Sequence, residues 1–381
     1  MNNSQYKRVL NLNGDQCSLP LEVLQIIKEE WYNAQGTGVS MLEMFNKNPK
    51  FLSLMSKGEQ ALRKYMRIPN EFKIYTMVGG QAVQVAAVPL NLLGKKESAA
   101  YVMNGYWSQR AIDEARKYVP HLNIVSQIYK NEHGKITLQG LQNIEEQNAY
   151  LYYVSADPSE GFQFKQQPKR SPGVIMVGDL SGDFSTRNIL WQDLDVAFIA
   201  SEYQCGIAGS VVLIIRENLI QNPHPQCPYM LDYNVLKQTD GVPNTVPVFP
   251  MYVNCLMYQF AEQKYQNVDS FEKILGGFSE KIYEVLESYG GIYQILVEKE
   301  FRSNCQIVFG VIGGKNNDEF IQKGQDKGIV GLFNKLNSQY LRIGLGLQSS
   351  QENVEQILGF LREFAQDYQI REVQNQNNQN I

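Results

Sequence analysis

Four short runs of the sequence are almost entirely apolar, and they constrain the fold more than any other feature. The runs are Leu151–Ser155, Val174–Asp179, Val196–Ala200 and Ser210–Ile215. Each has the length of a β-strand and lacks the polar–apolar alternation of a strand with one face in water, so we expect strands that are covered on both faces. Such strands form the centre of a mostly parallel sheet with helices on both sides, which is the α/β class.

Other segments of the N-terminal two thirds fit the same pattern. Lys73–Val78 predicts a strand, and Gly79-Gly80 then turns the chain into a helix that runs to about Leu93. Asn123–Gln127 is one more strand candidate. Ser18-Leu19-Pro20 predicts the start of a helix, because Ser is a good N-cap and Pro is tolerated in the first turn.

The pattern changes after about Met251, where long helical periodicities replace the apolar runs. We therefore predict three parts: residues 1–265 as the N-terminal segment with the large domain, 266–370 as a small C-terminal α+β domain, and 371–381 as a disordered tail rich in Gln and Asn. The predicted elements of this region are helices at Met251–Tyr265, Ser270–Tyr289, Asp318–Lys327 and Gln351–Tyr368, and strands at Ile292–Val297, Gln306–Val311 and Leu341–Leu345.

Composition excludes several classes of function. Hydrophobic residues make up 43% of the chain and charged residues 19%, which is typical of a folded globular protein. A net charge of −4 argues against nucleic acid as a partner, because phosphate binding needs a basic face. The five Cys and three His residues lack metal-ligand spacing, so we predict no metal site.

Location follows from the absence of targeting patterns. No apolar run approaches the roughly 20 residues that span a bilayer, so we expect no membrane insertion. Met1–Leu10 is polar and has neither the apolar core of a signal peptide nor the Arg-rich pattern of a transit peptide. We predict a cytoplasmic protein, with association with an organelle or an assembly left open.

Several motifs in one order carry a family resemblance. They are Asn11-Leu12-Asn13, Gly36-Thr37-Gly38-Val39-Ser40, Gly79-Gly80 with Gln84 and Ala86–Leu93, Gly105-Tyr106-Trp107-Ser108, Asp179–Phe184, Ala208-Gly209, Asn244–Pro247, Gly328–Leu332 and Leu341-Arg342. Together they resemble the phosphoserine aminotransferase family, whose members are class V, fold-type I enzymes that use pyridoxal phosphate. The resemblance implies a large, mostly parallel sheet domain flanked by helices, a smaller C-terminal α+β domain, and a homodimer.

The resemblance also implies roles for individual residues. Asp179 matches the carboxylate that pairs with the pyridine nitrogen, Trp107 the aromatic ring that stacks on the cofactor, and Arg342 the arginine that binds the substrate carboxylate. Gly80 lies in the turn before the helix whose N-terminus holds the cofactor phosphate. Asn244 and Thr245 match a pair that reaches the phosphate from the neighbouring subunit.

One essential family residue is missing. The family's lysine, which holds the cofactor as an imine, precedes a Gly-Pro-Ala-Gly turn, and counting back from Ala208-Gly209 places Tyr203 at that position. A phenol cannot form an imine. A shift in the alignment does not supply an amine, since no lysine lies between Lys169 and Lys237.

Further departures fall in other parts of the site. Ala82 and Val83 stand where the family carries a hydroxyl or an Arg for the phosphate, and Gly14-Asp15-Gln16 replaces its Pro-Gly-Pro. The family's Ser-Asn-Glu-Thr-His-Gly reads here as Ser155-Ala156-Asp157-Pro158 followed, after Ser159, by Glu160-Gly161. Two His-Arg pairs for the substrate phosphate align with Lys335-Leu336 and Asn46-Lys47.

Three hypotheses follow from this reading. The leading hypothesis is a catalytically inactive family member with no catalytic residue and no expected cofactor, serving as a structural or interaction subunit of a larger assembly. The second is an active pyridoxal-phosphate-dependent phosphoserine:2-oxoglutarate aminotransferase of serine biosynthesis. The third is a protein that binds pyridoxal phosphate or another small anion non-covalently through Trp107, Asp179 and Arg342.

Overall fold

The structure is a computed structural model that describes residues 8–142, 144–221, 223–312 and 317–379. Its strands are β1 (Leu10–Asn11), β2 (Phe72–Val78), β3 (Ser98–Met103), β4 (His121–Lys130), β5 (Ile136–Leu138), β6 (Asn148–Val154), β7 (Ala156–Asp157), β8 (Phe162–Gln163), β9 (Ile175–Asp179), β10 (Val196–Ala200), β11 (Ser210–Arg216), β12 (Tyr293–Ile295), β13 (Gln306–Val311), β14 (Ile329–Val330) and β15 (Leu341–Gly344). Its α-helices are α1 (Leu21–Glu29), α2 (Pro49–Met66), α3 (Gln81–Leu92), α4 (Tyr106–Ala115), α5 (Ser201–Gln204), α6 (Tyr233–Gln238), α7 (Val248–Tyr265), α8 (Val268–Ser288), α9 (Asn317–Asp326) and α10 (Gln351–Gln379).

The central element is an eight-stranded sheet with the order β2-β11-β10-β9-β6-β3-β4-β5. Its middle is parallel, from β10 through β9, β6 and β3 to β4, and its edges pair antiparallel. Alternate residues of β10 enter two different apolar clusters, Ala197 and Ile199 on one face and Val196 and Phe198 on the other. The predicted mostly parallel sheet, covered on both faces, is confirmed.

The C-terminal region forms a second, smaller sheet with the antiparallel order β12-β13-β15, and α8 packs against α10 beside it. The first strand of the chain, Leu10–Asn11, pairs in parallel with β14, so the N-terminal segment contacts this region. α7 ends at Tyr265 and α8 begins at Val268. The division at residues 265 and 266 remains a prediction.

The predicted disordered tail differs from the structure. α10 continues to Gln379, through most of the 371–381 segment, and residues 380–381 lie outside the described part of the chain. Arg371 and the glutamines that follow it are good helix formers, and the segment has neither Gly nor Pro, so a well-packed helix can extend into it. No helix among the described residues is both long enough and apolar enough to cross a membrane.

Candidate functional site

The parallel strands of the large sheet end at one edge, and the candidate site lies there. Ligands of open α/β sheets bind beyond the carboxyl ends of the strands. Trp107 comes after β3, Pro158 comes after β6 and the short β7, Asp179 ends β9, and Tyr203 comes after β10. They line one narrow gap together with Gln81, Val154, Ala156, Ser181 and Gly182. The structure therefore brings together three residues that the sequence singled out separately.

Asp179 is completely buried at the end of β9. The backbone N–H and the hydroxyl of Ser181 donate to its Oδ1 at 3.0 and 2.6 Å, and the side-chain amide of Gln81 donates to its Oδ2. Burial raises the pKa of this carboxyl to about 6, against the hydrogen bonds from Ser181 and Gln81, which lower it. Both oxygens thus already have partners from this chain.

The turn before α3 brings the backbone close to a second carboxylate. Gly79 has φ +114°, and a Cβ there would lie 2.3 Å from Val83 Cγ2, so only glycine fits. Gly80 is the N-cap of α3 and has no side-chain cap. A Cβ at Gly80 would lie 3.6 Å from Glu202 Oε1. An acidic side chain from α5 therefore stands beside the helix N-terminus, where the resemblance implies a phosphate.

The negative charge of Glu202 has little stabilisation at this position. Its Oε2 is buried and has no hydrogen-bond partner among the described residues. Burial raises the pKa of its carboxyl above the ordinary value.

Trp107 and Tyr203 pack against each other across the gap. Their ring centroids are 6.4 Å apart and their planes meet at 86°, which is an edge-to-face contact. Asp157 fixes the start of α4 because its Oδ2 accepts a hydrogen bond from the Trp107 backbone N–H at 2.9 Å. Tyr203 is buried, and burial together with the charges of Asp15, Glu202 and Asp179 raises the pKa of its phenol. The phenol stays protonated at any physiological pH.

Arg342 lies on β15, completely buried, and borders the same gap. Its Nη1 donates to the carbonyl oxygen of Pro158 at 3.3 Å, and Pro158 is part of the gap wall. Its Nη2 lies 2.7 Å from Asp15 Oδ1. The residue that the sequence predicted to bind a substrate carboxylate therefore faces a carboxylate of its own chain.

Asn244 and Thr245 do not line the gap. Both are exposed, and Thr245 lines a separate apolar cavity with Val78, Val83 and Met230. The resemblance assigns this pair to the neighbouring subunit's site, so their roles remain predictions. Within the described ranges, no group of three or more His, Cys, Asp or Glu side chains could hold a metal ion.

Comparison with known proteins identifies the family. The sequence model of the family "Aminotransferase class-V" matches residues 11–357. The chain belongs to the class-V aminotransferases. It is 28% identical over 363 residues to the phosphoserine aminotransferase of Chromobacterium violaceum, covering 95% of this chain and 99% of that one. It is 29% identical over 363 residues to the probable phosphoserine aminotransferase of Caenorhabditis elegans, covering 94% and 97%.

Solved structures give the same result. The phosphoserine aminotransferase of Bacillus circulans subsp. alkalophilus matches with a TM-score of 0.88 at 25% identity, covering 95% of this chain and 99% of that one. The fold of the pyridoxal-phosphate-bound phosphoserine aminotransferase of Trichomonas vaginalis matches with a TM-score of 0.87 at 23% identity, covering 93% and 100%. The predicted fold-type I architecture is confirmed.

Three predictions are wrong by these comparisons: that the chain is not an enzyme, that its role is structural, and that it has no cofactor. Relatives matched over nearly their full length are named as phosphoserine aminotransferases, and a structural neighbour is described as bound to pyridoxal phosphate. The predictions were drawn from a few changed residues in one site, whereas the similarity extends along the whole chain. The differences from the family's motifs nevertheless remain, since Tyr203 and not a lysine lines the gap.

The residues now at the site do not fit pyridoxal phosphate. The gap contains about 180 Å³ of interatomic space, none of it wide enough for a water molecule, whereas small-molecule sites measure roughly 300–1,000 Å³. Tyr203 offers no amine, and Glu202 puts a carboxylate at the phosphate position. Gln81 and Ser181 already occupy the oxygens of Asp179. In this conformation the chain's own side chains fill the place of the cofactor.

The sequence reasoning missed the residues that close the gap. Gln81, Glu202 and the pairing of Asp15 with Arg342 were not predicted. A signal existed for one of them, because Asp15 belongs to the Gly-Asp-Gln that replaces the family's Pro-Gly-Pro. For Glu202 the signal was its position next to Tyr203, in a segment judged only for the absence of lysine.

Proposed function

We propose that this chain catalyses the reaction for which its relatives are named, the transfer of an amino group between phosphoserine and a 2-oxo acid such as 2-oxoglutarate. The observation that carries the proposal is that Trp107, Asp179 and Tyr203 line one gap at the carboxyl edge of the sheet, with Arg342 beside it. The similarity of the chain to phosphoserine aminotransferases over 95% of its length supports the same reaction.

Charge and shape at the gap support binding of amino and oxo acids. Arg342 is a buried guanidinium beside the gap, and a planar guanidinium binds a carboxylate through two parallel hydrogen bonds. Asp179 lies on the other wall, between Gln81 and Ser181. The two groups give the site a cationic end and an acidic end, as recognition of an α-amino or α-oxo acid requires.

The proposal places a structural condition on activity. The gap must widen before a substrate or cofactor enters, because it has no room for a water molecule. Activity must also proceed without an amine at position 203, since Tyr203 stands there. Both conditions make the reaction of this chain slower than that of a site with a lysine, because loss of a covalent group costs several orders of magnitude in other enzymes.

The direct test measures glutamate formation from phosphoserine and 2-oxoglutarate with pyridoxal phosphate added. We expect a rate above that of the free cofactor, and loss of that rate in Arg342→Gln. Arg371→Gln, at a partly exposed arginine paired with Glu319 on the surface, is the matched control and should leave the rate unchanged. A rate equal to that of the free cofactor in the unmodified chain would overturn the proposal.

We also propose that the chain forms a homodimer and resides in the cytoplasm. Large apolar side chains near α1 and α2 support the dimer, because Tyr32, Leu42 and Phe45 are all more than half exposed. Sedimentation equilibrium should give twice the monomer mass, and Phe45→Glu should reduce it. The location rests on the polar pattern of the first ten residues and is tested by cell fractionation.

A further inference from the structure

The segment 11–18, which we call the strap, connects the small sheet to the turn after β10. At one end the Leu12 N–H donates to the Val330 carbonyl and the Leu12 carbonyl accepts from the Gly344 N–H, at 2.8 and 2.9 Å. At the other end the Cys17 N–H donates to the Glu202 carbonyl at 2.8 Å. The strap therefore passes beside Tyr203, between the two halves of the candidate site.

The strap is shaped to bring Asp15 onto Arg342. The Asn13 side-chain oxygen accepts a hydrogen bond from the Asp15 N–H at 3.0 Å and fixes the turn. A Cβ at Gly14 would lie 2.5 Å from Arg342 Nε and 2.2 Å from Gln306 Oε1, so only glycine lets the backbone approach the guanidinium this closely. Asp15 then lies 2.7 Å from Arg342 Nη2.

The ion pair with Asp15 leaves hydrogen-bond donors of the Arg342 guanidinium without a partner. Arg342 is 0% exposed, and neither its Nε nor its Nη2 has a hydrogen-bond partner among the described residues, so Asp15 contacts Nη2 as an ion pair without hydrogen-bond geometry. A carboxylate that faced both Nε and Nη2 would make the two parallel bonds that Asp15 does not make. The Asp15 side chain is 29% exposed, so it can leave the guanidinium for water, whereas Arg342 cannot. The contact favours exchange of Asp15 for an external carboxylate.

We propose that Asp15 is an internal carboxylate ligand of Arg342, and that small amino or oxo acids bind by displacing it together with the strap. The strap thus inhibits ligand binding by closing the candidate site until a ligand displaces it. The proposal takes the role of Arg342 from the proposed function, but it concerns binding and not transamination. Because the Cys17 N–H donates to the carbonyl of Glu202, the residue before Tyr203, displacement of the strap would also loosen the wall of the gap.

The test measures binding of glutarate, a dicarboxylate with no amino or oxo group, to the full chain by calorimetry without added cofactor. The apparent dissociation constant is the intrinsic one divided by the fraction of molecules in which Arg342 is free. We expect Asp15→Asn to bind glutarate at least about tenfold more tightly than the unmodified chain. Asp113→Asn, at an exposed aspartate paired with Arg116, is the matched control and should not change the affinity.

A double variant assigns the gain to the arginine. Asp15→Asn/Arg342→Gln should lose the increase in affinity, because the guanidinium is absent. Equal affinity in Asp15→Asn and the unmodified chain, or a gain that persists in the double variant, would overturn the proposal. Failure of this test would leave the aminotransferase proposal standing, since glutarate cannot react, and absence of activity would leave the binding result unaffected.

A second measurement uses the unmodified chain and does not depend on the folding of a variant. Saturating glutarate should speed hydrogen exchange at the backbone amides of Asp15 and Cys17, because their hydrogen bonds to Asn13 and Glu202 are released. Unchanged or slower exchange at both amides, with binding of glutarate demonstrated, would contradict displacement of the strap.

Discussion

Two neighbouring strands of the central sheet end in different chemistry. β9 and β10 pair in parallel with Asp179 opposite Phe198, and both strands are buried. β9 ends in the carboxylate of Asp179, whereas β10 is followed by Tyr203 and Glu202 and by no amine. The two strand ends are held in the same sheet, so the difference lies in the side chains and not in the backbone.

This difference shows how a scaffold and its site can diverge. The apolar residues of β9 and β10 belong to the core, so any change to them alters the packing of the whole domain. Tyr203 and Glu202 lie in α5, just after the strand and beside the gap. We therefore expect variants at both strand ends to alter ligand chemistry, with a larger change in stability at the fully buried Asp179 than at Glu202.

The largest effect is expected for Tyr203→Lys, which supplies the amine that the end of β10 lacks. The variant puts an amine at the end of β10, and loss of such groups costs several orders of magnitude elsewhere, so we expect the aminotransfer rate to rise about a hundredfold. Glu202 remains beside the N-terminus of α3, where its negative charge disfavours an anion, and we expect it to hold the rate below that of a complete site. Tyr229→Lys, at an exposed tyrosine, is the control. An unchanged rate would show that the lysine position lies elsewhere.

The next largest effect is expected on the stability of the protein, for the ion pair between Asp15 and Arg342. Asp15→Ala leaves Arg342 buried without a counter-charge, and removal of one partner of a buried pair costs several kcal/mol, so we expect unfolding to become easier by about 3 kcal/mol. Urea denaturation measures this change. Asp113→Ala should change stability by no more than about 0.5 kcal/mol, because that pair is exposed. Equal costs for the two variants would argue that Asp15 is not paired with Arg342.

Asp179→Asn tests the β9 end through its pH dependence. The pKa of Asp179 is raised to about 6 in the folded protein from its ordinary value of 3.8, so the folded state holds the proton more tightly than the unfolded one. Its stabilising contribution is present below pH 4 and is lost as the pH rises through 6. Asn does not titrate, so the stability of the variant relative to the unmodified chain should increase by about 2–3 kcal/mol between pH 4 and 7. A difference that is independent of pH would contradict the burial of an ionised Asp179.

The smallest effect is expected at the β10 end, for Glu202→Gln. Glu202 Oε2 is buried without a partner, and burial raises the pKa of the carboxyl, so the ionised form destabilises the folded protein at neutral pH. Replacing the charge with a neutral amide should stabilise the chain by about 1 kcal/mol at pH 7, with little change at pH 4. Thermal denaturation at the two pH values measures the gain. A loss of stability at pH 7 would mean that the Glu202 carboxylate has a stabilising partner in the folded protein.

The sheet was predicted well from the sequence because strands that are buried on both faces appear as continuous apolar runs. The boundaries of β10 and β13 match the predicted Val196–Ala200 and Gln306–Val311. β3 was missed, since Ser98-Ala99-Ala100 lacks the bulky apolar residues typical of a buried strand. α4 was also missed, because its N-cap is Gly105, and glycine has no capping side chain that a sequence pattern could reveal.

The site was predictable only in part. Motifs singled out Asp179, Trp107 and Tyr203, and the three side chains line one gap, while their individual roles remain predictions. The pair of Asp15 and Arg342 joins opposite ends of the chain, and no local pattern specifies it. The space-filling role of Gln81 and Glu202 depends on distances between three strand ends, which a single sequence does not contain.

The gap has a carboxylate at the end of β9 and a phenol, with no amine, after β10. The most direct test incubates the protein with pyridoxal phosphate, reduces it with borohydride, and maps any modified lysine by mass spectrometry with and without phosphoserine. We expect no lysine whose modification is prevented by phosphoserine, in the same sample that is assayed for aminotransfer. A single modified lysine that phosphoserine protects would contradict this expectation and would place the missing amine in the gap.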